Sequence, residues 1–164
     1  MRNSFTSFLI IVLISNIYLL EARIIISNCQ DLQNMNSTGT YMINQTIDCS
    51  RTVPFNPIPL FSGILSGNNN VIQNVLLYSS SSGVGIFKCL SGATIQDLVL
   101  LKFTVNATGT SFCVGSLSGK AINTIITNVH LKAPLSSPNI INGNSQTGGL
   151  LFFSLFLIII YFFP

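Results

Sequence analysis

The sequence predicts an all-β chain built as a parallel β-helix (a β-solenoid), and three observations carry that expectation. First, a short phrase recurs: Leu65-Ser66-Gly67, Leu90-Ser91-Gly92 and Leu117-Ser118-Gly119. After gaps of four, two and six residues each is followed by Ile-[Gln/Thr]-[Asn/Asp]-[Val/Leu]-x-Leu, at Ile72–Leu77, Ile95–Leu100 and Ile126–Leu131. The copies start 25 and 27 residues apart, a period typical of chains whose units bury their apolar faces only against neighbours. Second, the apolar runs are short, rich in Val, Ile, Leu and Thr, and bounded by Gly, Ser and Asn, as strands are. Third, no window sustains the i, i+3, i+4 spacing that a helix in every repeat requires.

Taken in order, residues 1–22 read as a secretory signal peptide. Arg2 supplies the positive start, Phe8–Leu20 the apolar run and Ala22 a small residue before cleavage. That run is shorter than the ~20 apolar residues of a spanning helix and contains Asn16. Residues 23–149 form the repeat region. Residues 150–164 are a hydrophobic tail, read as an anchor signal or as the end of a truncated chain. At ~1.5 Å per residue the run from Leu150 to Phe163 makes a helix of ~21 Å, short of a ~30 Å bilayer core. It fits the tail of a lipid-anchor signal, with Gly143-Asn144-Ser145 as the small-residue site. Membrane association through this tail is therefore one expectation.

Charge excludes one class of partner. Between residues 23 and 149 the cations Arg23, Arg51, Lys88, Lys102, Lys120 and Lys132 are scattered singly among Asp31, Asp48 and Asp97. Nucleic-acid binding wants a basic stripe that neutralises several phosphates, and none is present. Asn36, Asn44 and Asn106 begin N-x-[ST] triplets that glycosylation can use. At this content of Asn, Ser and Thr about three such triplets arise by chance, so secretion rests on the signal and not on them.

In a parallel coil, equivalent residues of successive turns stack at ~4.8 Å. Asn74, Asp97 and Asn128 are then expected one above another at a corner, their side chains bonding the turn backbone. A leucine-rich template, Leu98-x-x-Leu101-x-Phe103-x-x-Asn106, occurs once only and is set aside.

These residues resemble the GLUG-motif family of secreted and surface proteins with a right-handed β-helix-like repeat. Cys29–Met35 resembles its opening segment, and Tyr41-Met42-Ile43 with Ile47-Asp48 its first strand motif. Pro57-Ile58 and Phe61–Asn69 are similar to its P-I…F-x-G-x-x-D-G-x-G turn, with Ser66 and Asn69 departing from the pattern. Val84-Gly85-Ile86-Phe87, Val114-Gly115-Ser116-Leu117 and Gly148-Gly149-Leu150 resemble its repeated V-G-x-[LF] element. The resemblance covers about residues 27–150 and implies a right-handed parallel β-helix, short and truncated or anchored at its end.

No catalytic, cofactor or metal set is expected. Glycoside hydrolysis needs two carboxylates flanking one bond, and Asp31, Asp48 and Asp97 fall in separate segments. His130, the sole histidine, lies between Val129 and Leu131, so alternation points it outward. Connections lengthen from Tyr78–Gly83 to Leu101–Cys113 to Lys132–Gln146, and insertions at one point of a repeat project from one face. Lys102, Asn106, Thr108, Thr110, Lys132, Asn142 and Asn144 are the candidate binding residues there, suited to glycans or surface proteins.

Of the four cysteines, Cys29 and Cys49 are expected to pair. Aligning the V-G-x-[LF] elements puts Cys89 four places after its glycine and Cys113 two places before. Six positions of extended chain span ~20 Å, beyond the ~7 Å Cα limit for a disulfide. Cys89 follows Phe87 in the same alternation and is expected as a buried thiol. The chain thus reads as an extracellular or cell-surface module with a structural or adhesive role. A fragment of a carbohydrate-active β-helix enzyme and an incomplete gene product are the alternatives.

Overall fold

In the computed structural model, residues 22–80, 83–108, 113–133, 138–142, 148–155 and 160–161 are described. Among them one helix and thirteen strands occur, so the expectation of an all-β chain holds. Helix α1 (Cys29–Gln33) starts at Asn28, whose Oδ1 accepts from the Asp31 amide at 2.9 Å. Asp31 Oδ2 accepts in return from the Ser27 amide and from Asn28 Nδ2, both at 2.9 Å. This reciprocal cap holds a helix too short to stand alone.

The strands are β1 (Ile24–Ile26), β2 (Thr40–Ile43), β3 (Ile47–Asp48), β4 (Ile58–Phe61), β5 (Ile64–Ser66), β6 (Val71–Ser79) and β7 (Phe87–Ser91). They continue with β8 (Thr94–Ala107), β9 (Ser118–Ile122), β10 (Ile125–Lys132), β11 (Ile140–Asn142), β12 (Leu151–Leu155) and β13 (Ile160–Tyr161). A nine-stranded sheet runs β1-β2-β5-β8-β10-β13, with β3 and β11 joined to it through β6 and β8. A four-stranded sheet runs β4-β7-β9-β12. Every pairing between these strands is parallel. The sheets curl into a half-barrel around a single buried cluster. Through it runs a short aromatic file, with Tyr41 6.0 Å from Phe61 and Phe61 stacked 5.2 Å from Phe87.

Left-handed residues set the curl. Gly92, Asp97 and Lys102 have φ of 67°, 53° and 54°, recurring every five residues, and Asn123 and Asn128 repeat the spacing at 47° and 51°. Asn69 and Asn74, at 61° and 58°, mark the equivalent corners one tier earlier. In a strand, side chains alternate faces with a period of two. One left-handed residue per five turns the chain and restores the inward phase, so burial steps by three across each corner: Ile95 to Leu98, then Leu100 to Phe103.

This arrangement corrects the register read from the repeated phrase. Leu65 lies beside Ile95, Leu90 beside Phe61 and Ala121, and Ser118 beside Phe87. The three Leu-Ser-Gly copies are therefore out of step in space, because residues paired between successive tiers, such as Leu65 with Ile95 and Phe87 with Ser118, are further apart in sequence than the copies are. The stacked trio changes accordingly. Asn128 Nδ2 donates to Asp97 Oδ1 at 2.9 Å and lies 3.5 Å from Asn69 Oδ1. Asn74 instead occupies the next corner, level with Lys102, and donates to Asp48.

The V-G elements do align: Val84 bridges Val114, and the Ser116 amide donates to the Gly149 carbonyl. Beyond Leu150 the backbone continues as β12 on β9 and β13 on β10. Cys29 and Cys49 are joined with Cα atoms 5.2 Å apart, while Cys89 and Cys113 are free thiols. Cys89 is only half-buried, because burial steps from Phe87 to Leu90 and not to Cys89. The expected signal peptide lies outside the described residues except for the exposed Ala22.

Candidate functional site

The lengthened connections are shorter than the sequence suggests. Phe103, Val105 and Ala107 are buried in alternation, which carries β8 through Ala107, and Ile140–Asn142 adds β11 beside it. Lys102 and Asn106 thus belong to a strand, with Lys102 at a corner and Asn106 on the outer face that follows it. Parallel registry lays out that face in rows. Leu76, Thr104 and Ile140 form one row, and Tyr78, Asn106 and Asn142 the next. Asn74 and Lys102 stand level at the corner before them.

The face has three chemical components. Tyr78 is 55% exposed, a large aromatic surface open to solvent. Asn142 Nδ2 donates to Asn106 Oδ1 at 3.1 Å, which fixes two amides edge to edge. Between the corner and the first row lies a groove of about 260 Å³ lined by Asn74, Val75, Leu76, Lys102, Thr104 and Pro138.

Charge around the groove is arranged unevenly. Asp48 is held well below the usual carboxylate range, at about 2, chiefly by the Ser50 amide and then by the Asn74 side chain, with Ser50 Oγ and Gln73 adding to the effect against partial desolvation. Its charge is thereby engaged on the far side of Asn74. Lys102 is exposed. Lys132, also exposed, ends β10 beside Leu101, so both cations lie at one end of the face.

The other candidates are placed as follows. Thr108 is exposed just after β8, its amide bonded to the Ser79 carbonyl. Thr110 and Asn144 lie outside the described residues. Asn36 and Asn44 are exposed, whereas Asn106 is half-buried near the end of β8 with its side chain bonded. His130 Nε2 is 2.9 Å from Asn128 Oδ1 at the neighbouring corner. Sequence reasoning missed Tyr78, Thr104 and Asn74 as parts of this face. The signal was present in the alternation of Tyr78 with Leu77 and of Thr104 with Phe103 and Val105.

A second groove of about 220 Å³ lies along β1, between its three isoleucines and Asp31, Asn34, Asn36 and Tyr41. Among the described residues no three His, Cys, Asp or Glu side chains gather as metal ligands, and no helix is long and apolar enough to cross a membrane. No protein-family model, curated protein or solved structure matches this chain.

Proposed function

We propose that this chain is a secreted or cell-surface module of GLUG type, a right-handed parallel β-helix with a structural and adhesive role. The observation that carries the reading is the outer face, where side chains from β6, β8 and β11 stand in register. Strands hold such groups more exactly in place than loops do, so contact costs little ordering. Parallel pairing of successive tiers and corners every five residues support the β-helix. The signal-like start of the sequence supports export.

Each carboxylate after that start has a structural task, which also favours an adhesive over a hydrolytic role. Asp31 caps α1, Asp48 binds Ser50 and Asn74, and Asp97 accepts from Asn128. With a carboxyl near 2, Asp48 is ionised at neutral pH and is no proton donor. A tagged full chain made in a secretory host is expected in the medium or on the cell surface, and retained on a glycan or cell-surface matrix. A chain that stays inside the cell, or that no such matrix retains, overturns the reading.

A further inference from the structure

We infer that the outer face of β6, β8 and β11 binds a short acidic oligosaccharide, its sugar ring against Tyr78, its hydroxyls on the Asn106–Asn142 pair and its acidic group at Lys102. The inference rests on the adhesive reading and gives it a site and a ligand class. The reach of the named groups comes first. Three strands at ~4.8 Å and four residue steps at ~3.3 Å set these in-register side chains within about 10 Å by 13 Å. That span is the length of a short oligosaccharide laid along the strands.

Chemistry decides next. Tyr78 offers one open aromatic surface and sits directly beside Asn106, so a ring stacked on it brings its hydroxyls over the amides. Because Asn106 accepts from Asn142, the pair keeps the Asn106 NH2 as a donor and the Asn142 carbonyl as an acceptor. A donor and an acceptor side by side match two adjacent hydroxyls. Thr104, one row back, adds a hydroxyl on the same line.

Charge sets the class. Lys102 stands ~13 Å along the strands from the Tyr78 row, the reach of a short oligosaccharide. Lys132 adds a cation at that end. Of the acidic residues on neighbouring strands and corners, Asp48 is turned to Ser50, Gln73 and Asn74, and Asp97, five residues before Lys102, accepts from Asn128. Carboxylate and sulfate groups share the chemistry Lys102 would recognise.

The test titrates the full chain by calorimetry with trigalacturonate, a sulfated galactotriose and neutral galactotriose. Acidic probes are expected to bind saturably and more tightly than the neutral one, and their ranking tells carboxylate from sulfate. Tyr78→Thr keeps strand preference and is expected to weaken every probe about tenfold. Lys102→Asn keeps a residue that tolerates the left-handed corner and is expected to abolish only the acidic preference. Matching melting temperatures show that both variants fold. Binding that neither variant changes overturns the site while the adhesive reading stands. Equal affinity for neutral and acidic probes overturns the role of Lys102. No saturable binding by any probe at about 10 mM overturns the inference, and matrix retention of the full chain then judges the wider reading separately.

Discussion

At the residue scale, two glycines show that one residue type answers two different constraints. A Cβ on Gly85 would stand 2.7 Å from Ser118 Cα and 2.8 Å from Ser118 N, backbone atoms that no rotamer can clear. Gly92 has open space but a φ of +67°. Gly85→Ala should therefore cost about 3 kcal/mol through overpacking, and Gly92→Ala only about 1 kcal/mol through its left-handed backbone. Gly92→Asn should cost less still, as Asn123 takes the same corner one tier on. Urea unfolding of the three variants checks the order. Asp48 gives a pH prediction of definite sign. Its folded carboxyl lies at about 2 against an ordinary 3.8, so folding favours the ionised form. The resulting stability is fully present above about pH 4 and is lost as pH falls toward about 2. The group is exposed, so solvent screens the effect and it stays small. Asp48→Asn should flatten the fall of the urea midpoint across that window, and an unchanged slope would mean that the Ser50 and Asn74 bonds do not favour the charge.

At the scale of the element, β8 is one strand of fourteen residues that behaves as consecutive short faces joined at Asp97 and Lys102. Strand propensity alone says that a β-branched residue at position 102 stabilises it. The corner says the opposite. At φ 54° a β-branched side chain meets its own backbone, so Lys102→Val should lose about 1–2 kcal/mol while Lys102→Asn stays near neutral. Thermal melts of the two variants decide which rule governs the position. The same corners explain how much of the fold was legible. Short apolar runs bounded by Gly, Ser and Asn revealed strands, and the aligned V-G elements gave a correct local register, since Val84 does bridge Val114. The five-residue corner spacing stayed hidden because the chain fills it with Gly92 just before β8 and with Asp97 and Lys102 inside it, three residue types without a common signature. The Leu-Ser-Gly phrase then misled. It recurs on different sides of a corner, so its alignment puts Asn74 where Asn69 belongs. Lys102 and Asn106 were legible as candidates, but as loop residues. Their common face became visible only when β8 was carried past Lys102 to pair with β6 and β11.

For the whole molecule, the parallel stacking makes stability a matter of neighbours. Tiers at the N-terminal end touch the rest only through the next tier, as β1 pairs β2 and β3 pairs β6, whereas β8 is paired on both sides by β5, β6, β10 and β11. In such a quasi-one-dimensional arrangement the ends open without the middle. The Cys29–Cys49 bond ties the cap helix to the end of β3 across a separation of 20 residues. A closed loop of that size constrains the unfolded segment by about 3 kcal/mol, comparable to the whole stability of an isolated small tier. Reduction should therefore release the first tiers selectively. In hydrogen exchange followed by mass spectrometry, the reduced protein is expected to lose protection across β1, α1, β2 and β3 while β8 and β10 retain theirs. The double substitution Cys29→Ala with Cys49→Ala should reproduce that pattern without reductant. Loss of protection in β8 and β10 together with β1–β3 would show that the tiers fold as one cooperative unit, and that nearest-neighbour stacking does not describe how this chain holds together.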